Sequence, residues 1–178
     1  MPLPTLNLIE PLVNAMVVLL TNNLQASINA LNATITDSYL VPAVGQIVPY
    51  TPVPSTLEIG GPAVGVWELG TQFEDDLQVS LQAEHTFAVV AVLQNADHIT
   101  LMWQLRRMLQ AIAYTISQDR LLGASSVMRQ QGGAWGVMFD RTEPGPLLAD
   151  NDPVTPDAPP RSYLSWTGLI FTARRTEV

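Results

Sequence analysis

The sequence predicts an α+β fold, in which a mixed, mostly antiparallel sheet is flanked by two long helices. Three patterns in the 178-residue chain carry this prediction: a helical stripe of apolar residues at about 11–36, a strand alternation at 77–93, and a second helical stripe at about 97–122. The length is that of one domain, so we expect residues 1–178 to form a single unit.

The first long helix is predicted over about 11–36. Pro11 suits a first helical turn, because the N–H that proline lacks has no intrahelical acceptor there. Apolar residues then recur at intervals of three or four and mark one face: Val13, Met16, Leu20, Leu24, Ile28, Leu31 and Ile35.

A proline-rich segment follows the first helix at about 40–55. Proline lacks the N–H that a sheet ladder needs and breaks helices, so four prolines exclude both a helix and a central strand. We expect an extended arm or a crossing loop here.

Two short strands and a turn are expected next. Thr56–Ile59 has strand composition, Val64–Trp67 supplies its hairpin partner, and the intervening glycines supply the turn. The adjacent carboxylates of Glu74, Asp75 and Asp76 predict an acidic turn before the next element.

The longest strand signal runs from Leu77 to Leu93, where apolar and polar residues alternate as in a half-buried strand. Beyond Phe87 both faces become apolar. Either this end of the strand is central and covered on both sides, or it enters a subunit interface.

The second long helix is predicted to begin after Asp97, whose carboxylate makes a good N-cap. Arg120 is expected in its last turn, and Gly123 offers a left-handed terminus. One apolar stripe is predicted along it: Ile99, Met102, Leu105, Leu109, Ile112 and Ile116.

Three more strands are expected in the remainder of the chain, at Val127–Gln131, Ala134–Thr142 and Tyr163–Arg174. The segment at about 143–161 between the last two is rich in proline and acidic residues. We expect a long loop that is solvated or ordered by a partner.

The charge balance restricts the function. All eight basic residues are arginine, against sixteen carboxylates, which gives a net charge of −8. A nucleic-acid binder needs an excess of positive side chains, so binding of DNA through a basic face is not expected. An acidic wall along which DNA slides without sticking fits this charge.

No reactive cluster is expected. The chain has no cysteine, which excludes disulfides and thiolate metal ligands. His85 follows Glu84, but neighbours on a strand point to opposite faces, and His98 follows the capping Asp97. We therefore predict no catalytic residue, no metal site, no cofactor and no enzymatic activity.

Charged and aromatic residues form candidate interfaces with other copies or with partners. Arginine is favoured at interfaces because its guanidinium forms paired hydrogen bonds, and an acidic chain with local arginine pairs is able to associate head to tail. Simple exposure on outer faces is an equally good interpretation. The candidates are Trp67, Glu74, Asp75, Asp76, Arg106, Arg107, Arg174 and Arg175.

The order of elements resembles that of the tail terminator, or tail completion, proteins of long-tailed bacteriophages, with the head–tail joining neck proteins close behind. The resemblance runs through a leading helix, the segment Pro54–Gly60, the acidic pair Asp75–Asp76, the long strand, the helix after Asp97, and the closing Phe171–Glu177.

The resemblance implies a structural virion protein that forms a hexameric ring on the end of the tail tube. Its partners would be other copies of itself, the tail tube protein and the head–tail connector protein. DNA would pass as cargo without specific binding, and no membrane would be involved. The protein would assemble in the host cytoplasm and reside in the tail or neck of the virion.

Two other classes of function remain open. A tail tube or other repeating virion protein would share the design of sheet and helices but polymerise without limit. A small-molecule-binding or hydrolytic domain would place its pocket between the long helix and the sheet.

Overall fold

A computed structural model describes residues 10–49, 61–76, 80–119, 122, 134–150 and 160–176. Within this part of the chain there are two helices and six strands. They are α1 (Glu10–Asn32), β1 (Gln46–Val48), β2 (Ala63–Asp76), β3 (Ser80–Asn95), α2 (His98–Gln118), β4 (Ala134–Pro144), β5 (Leu148–Asp150) and β6 (Ser162–Thr176).

The strands form one mixed sheet in the order β1-β2-β3-β6-β4, and β5 pairs with the first residues of β6 on the same edge as β4. β1 and β2 run parallel, whereas every other pairing is antiparallel. This confirms the predicted α+β fold with a mixed, mostly antiparallel sheet.

Both helices pack on one face of the sheet, where they enclose the main core. At its centre Phe87 of β3 stacks on its cross-strand partner Phe171 of β6, with ring centroids 5.5 Å apart. α1 contributes Leu12, Met16, Leu20, Leu24 and Ile28, all of which are fully or almost fully buried.

The opposite face of β3 is also buried. Ala88, Val90 and Val92 form a second, smaller apolar cluster with Leu164 and Ile170 of β6. The apolar run that follows Phe87 therefore belongs to a central strand covered on both faces, the first of its two predicted interpretations.

The first helix ends at Asn32, four residues earlier than predicted. The Asn32 side chain accepts a hydrogen bond from the Val41 N–H and donates one to the Val41 carbonyl, both at 2.9 Å. The Asn32 side-chain amide thus forms with the backbone of Val41 the pair of hydrogen bonds that a residue of a neighbouring strand would form. Ala33 and Thr34 form a turn, so the apolar spacing that continues to Ile35 does not extend the helix.

The second helix begins as predicted and ends early. The Asp97 carboxylate accepts a hydrogen bond from the Thr100 N–H at 2.8 Å, which confirms the N-cap. The helix ends at Gln118, and the N–H of the capping Asp119 binds the Ile116 carbonyl. The helix was predicted to continue to about residue 122, so it ends earlier than expected, while Arg120 and Gly123 themselves lie outside the described residues.

The predicted apolar stripe of α2 mixes two faces. Leu105, Ile112 and Ile116 are buried as expected, together with Leu101 and Met108. Ile99 and Met102, by contrast, are about half exposed. The buried stripe begins at Leu101 and not at Ile99, so it lies on a neighbouring side of the helix.

Several predicted turns and loops contain strands. Glu74, Asp75 and Asp76 are not a turn, because they pair with Gln82, Leu81 and Ser80 as the last residues of β2. The proline-rich arm contains β1, a three-residue edge strand that ends before Pro49.

The later strands are longer than predicted. β4 extends to Pro144, β6 covers Ser162–Thr176, and β5 lies inside the segment predicted as a loop at about 143–161. The predicted strands Thr56–Ile59 and Val127–Gln131, and the first residues of the strand predicted from Leu77, lie outside the described residues.

Candidate functional site

An apolar groove lies beside α2, and we call it the α2 groove. One wall is the outward side of the first half of the helix, where Ile99, Met102 and Trp103 are 49%, 50% and 40% exposed. The other wall is the sheet edge at Thr142–Gly145, and the volume between them is about 590 Å³. Large apolar side chains clustered at the surface mark protein–protein contacts.

The spacing of α2 explains why one helix has two apolar faces. Met102, Trp103 and Arg106 follow Ile99 by three, four and seven positions, so the four residues share one side of the helix. The buried line through Leu101, Leu105, Met108 and Ile112 runs beside it. The groove was not predicted, because Ile99 and Met102 were assigned to the core stripe of the helix. The signal in the sequence that could have revealed it is the overlap of two apolar stripes on one helix.

Gly145 and Trp166 bring the chain close together where the sheet edge passes from β4 to β5. The Gly145 N–H donates to the Trp166 carbonyl at 2.8 Å. A Cβ on Gly145 would lie 2.3 Å from the Trp166 indole, so the backbone passes directly against the ring. Only glycine allows this approach, which fixes the wall of the groove.

The β4 edge next to the groove is open in the described part of the chain, where β4 pairs with β6 alone. Met138 and Phe139 on this strand are both more than half exposed. An edge strand with unpaired backbone groups and apolar side chains is a template for strand addition by another chain.

A bulge interrupts the pairing of β4 with β6 between Phe139 and Arg141. The extra residue there is Asp140, and its carboxylate and that of Glu143 accept hydrogen bonds from the Arg141 guanidinium. Charged residues and bulges are the usual devices that limit indiscriminate pairing at a sheet edge. Within the described residues, the bulge and the charged side chains of this edge therefore follow directly after the exposed Met138 and Phe139.

Trp103 is at the centre of an aromatic and cationic cluster at the outer end of the groove. Tyr39 lies parallel to it, with ring centroids 6.3 Å apart. The guanidinium carbons of Arg106 and Arg107 lie 5.2 and 5.5 Å from its ring centre. These contacts hold Trp103 in one orientation with part of its ring exposed.

The two adjacent arginines have different roles. Arg107 donates to both oxygens of Asp37, at 2.7 and 2.6 Å, and also to the Tyr39 carbonyl at 2.6 Å. The bonds from Arg107, together with one from the Tyr39 N–H, lower the pKa of Asp37 to about 2, and the bonds to Asp37 raise the pKa of Arg107 above its usual value. Arg106 lies exposed on the groove side of the helix.

The acidic candidates Glu74, Asp75 and Asp76 are the last residues of β2, in a part of the β2–β3 ladder that β6 does not reach. The β2–β3 ladder continues to Asp76↔Ser80, whereas β6 follows β3 only as far as Glu84↔Arg174. Residues 73–76 and 80–83 therefore form a two-stranded extension beyond the β3–β6 ladder. We call this extension the β2–β3 arm.

The remaining candidates lie elsewhere on the sheet. Arg174 and Arg175 are near the end of β6, where the backbone pairs with Glu84 of β3 and with Trp135 and Gly136 of β4. Trp67 lies on β2 opposite Ala88, and 45% of it is exposed. Of the candidates, the structure thus places Arg106 in the lining of the groove, while Arg107 lies against the Trp103 ring.

The two histidines do not meet. His85 is buried on the β3 face that packs against the helices, and its burial lowers its pKa, with a smaller opposing effect from Glu68. His98 lines the groove, edge-on to the Tyr163 ring at 5.4 Å. No group of three acidic or histidine side chains suited to a metal ion occurs among the residues described.

The described helices include none with the length and apolarity needed to span a bilayer. No protein-family model and no curated protein matches the chain. A similar solved structure is a chain of the "Virion of native gene transfer agent (GTA) particle", with 18% identity, a TM-score of 0.39, and coverage of 88% of this chain and 96% of that chain. At this TM-score the similarity carries no conclusion about function.

Proposed function

We propose that this chain is a structural virion protein of a long-tailed phage, a tail terminator that forms a hexameric ring on the tail tube and joins it to the head. The α2 groove next to the open β4 edge is the observation that carries the proposal. Both are surfaces that another protein chain would cover, and their lining is apolar side chain and backbone.

The groove favours a protein partner over a reaction. Its side chains are mainly large and apolar, with Arg106 at the rim and His98 near one end. Aromatic residues, methionine and arginine are the types enriched at protein interfaces. Trp103, held by Tyr39 and two guanidinium groups, has the character of a preformed anchor.

Charge adds support for the particular role. A net charge of −8 without any lysine suits a ring through which DNA passes without adhering. Among ring-forming virion proteins, the order of helices and strands favours the tail terminator, because it resembles the order in that family. Under this proposal the partners are other copies of the chain, the tail tube protein and the head–tail connector protein.

The native mass of the purified protein tests the proposal. Six copies of the 19.4 kDa chain give a particle of about 116 kDa, and negative-stain images are expected to show a central hole. Added to growing tail tubes, such particles are expected to stop elongation. A compact monomer that ignores tail tubes would contradict the proposal.

A tail tube protein is the second candidate, and the open β4 edge supports it equally well. A chain that adds to its neighbour through an open edge polymerises without limit unless the rotation closes a ring. The same measurement separates the two roles. Long filaments from the purified chain alone would indicate the tube protein.

A small-molecule site has one observation in its favour, because the groove lies between a long helix and the sheet, where ligands often bind. A library of apolar carboxylates would test it by thermal shift, since Arg106 is the cation at the rim. Binding that disappears in Arg106→Ala and His98→Ala, with unchanged circular dichroism, would favour this role.

A further inference from the structure

We infer that the β2–β3 arm of one copy docks into the α2 groove of the next copy. The inference rests on the proposed self-assembly and specifies which two surfaces meet. The arm is the backbone extension 73–76 and 80–83, and the groove is the space between α2 and Thr142–Gly145.

The arm is unable to fill the groove of its own chain. The groove lies beside Ser165–Thr167 of β6, which pair with Ala91–Leu93 of β3. Eleven residues of extended strand separate Ser80 from Ala91, a distance of about 36 Å. Arm and groove therefore lie far apart along the sheet of one chain, so contact between them requires a second copy.

Charge complementarity selects the arm as the occupant. Three consecutive acidic residues, Glu74, Asp75 and Asp76, are the last residues of β2 and belong to the arm. The residues lining the groove include one guanidinium, that of Arg106, and no carboxylate. In a chain of net charge −8, a groove lined by a cation and no carboxylate is distinctive. Opposite charges on two surfaces fix the register in which they meet.

Arg106 is suited to receive the arm. Its neighbour Arg107 is occupied by Asp37 and Tyr39, whereas Arg106 is exposed and stacked over Trp103. The stacked guanidinium keeps its N–H groups available at the ring edge, where they bind carboxylates in pairs. Ile99 and Met102 provide the apolar surface beneath.

This contact has a defined symmetry. Each copy has one arm and one groove, so the contact is head to tail, and copies joined this way close into a ring or continue as a filament. A ring built from this contact alone would need no interface between two identical surfaces.

Disulfide cross-linking tests the contact directly, because the chain has no cysteine of its own. The double variant Asp75→Cys, Met102→Cys is expected to form covalent multimers on oxidation. The matched control is Asp75→Cys, Tyr114→Cys, since Tyr114 is exposed on the same helix but does not line the groove. The control is expected to remain monomeric on a non-reducing gel.

Mixing the single variants Asp75→Cys and Met102→Cys tests the polarity of the contact. Each chain then has one reactive surface, so covalent dimers are expected and larger species are not. Homodimers from either variant alone, or mixed dimers no more abundant than with Tyr114→Cys, would overturn the inference.

The native mass of the reduced double variant separates this inference from the proposed function. A ring of about 116 kDa that fails to cross-link would overturn the arm contact and leave the terminator proposal intact. Cross-linked filaments would support the arm contact and contradict the terminator. A monomer without cross-links would contradict both.

A charge exchange supplies the second measurement. Arg106→Glu is expected to weaken self-association about tenfold or more, as the loss and reversal of an interface charge does. The triple change Glu74→Arg, Asp75→Arg, Asp76→Arg in the same chain is expected to restore it. Failure of the exchange to restore association, with folding intact, would count against the contact.

Discussion

Arg107 donates to both carboxylate oxygens of Asp37, a residue 70 positions earlier in the chain. The pair fastens the segment between α1 and β1 to the first half of α2, and the same guanidinium binds the Tyr39 carbonyl beside Trp103. The Arg107 side chain is 16% exposed and that of Asp37 is 44% exposed. The orientation of the groove's aromatic cluster therefore depends on this ion pair.

Acid is expected to weaken the fold partly through Asp37. Its pKa is lowered from 3.8 to about 2, so its stabilising contribution is complete above about pH 4 and is lost as the pH falls to about 2. Asp37→Asn is expected to lower Tm at pH 7 and to converge with the wild type near pH 2. Thermal melts from pH 2 to 7 measure this.

The control for Asp37→Asn is Asp140→Asn, which weakens an exposed ion pair on the β4 edge. Exposed pairs contribute little, so this variant is expected to melt close to the wild type. Equal losses of Tm in the two variants would contradict a specific role for Asp37. Asp97 also has a lowered pKa, because Thr100 donates hydrogen bonds to its carboxylate. Its protonation is therefore expected to add to the loss of stability in acid.

His85 predicts a second, milder dependence on pH. Burial lowers its pKa below 6.5, so the unfolded chain binds the proton more readily than the folded chain. The free energy of unfolding is therefore expected to fall as the pH drops below about 6.5. His85→Gln is expected to flatten the dependence of the unfolding free energy on pH between pH 5 and 7, as measured by urea denaturation.

Phe87 is expected to contribute more to stability than its surface counterpart Phe139. Both contact Phe171, but Phe87 is fully buried and Phe139 is 56% exposed. Phe87→Ala is expected to cost about 3–5 kcal/mol, because it removes a buried ring and leaves a cavity. Phe139→Ala is expected to cost less than about 1 kcal/mol, and similar losses in urea denaturation would contradict this assignment of the core.

Gly145 is expected to tolerate no side chain. A Cβ there would lie 2.3 Å from the Trp166 ring, so Gly145→Ala forces the indole or the backbone to move, at a cost of about 1–3 kcal/mol. Gly70→Ala is the matched control, because nothing lies within 4 Å of the corresponding Cβ. Chemical denaturation compares the two, and a smaller loss in Gly145→Ala would contradict the close approach.

Local signals in the sequence were sufficient for the elements whose formation depends on neighbouring residues. The cap at Asp97 and the alternation of β3 are of this kind, because a carboxylate and a period of two act over a few residues. The end of α1 was wrong because Asn32 binds Val41, nine residues on. Helix spacing alone contains no information about such a partner.

Pairing between distant segments explains the other errors. Glu74, Asp75 and Asp76 have the composition of a turn, but the ladder with β3 holds them in a strand. β5 lies in a proline-rich, acidic segment and forms because β6 offers it an edge. Arg106 was identified from the sequence as an interface candidate. Ile99 and Met102 were assigned to the core, because the groove side and the buried side of α2 are neighbours and their apolar residues have nearly the same spacing.

The place of β6 in the sheet has a consequence for how the chain acquires its shape during synthesis. β6 is the last of the described strands, yet it lies inside the sheet, between β3 and the β4–β5 edge. The pair Phe87 and Phe171 joins residues far apart along the chain, so a nascent chain emerges with the apolar β3 edge unpaired. The inner edge of β3 is therefore expected to stay without its partner until β6 has left the ribosome, so the sheet is completed only late in synthesis.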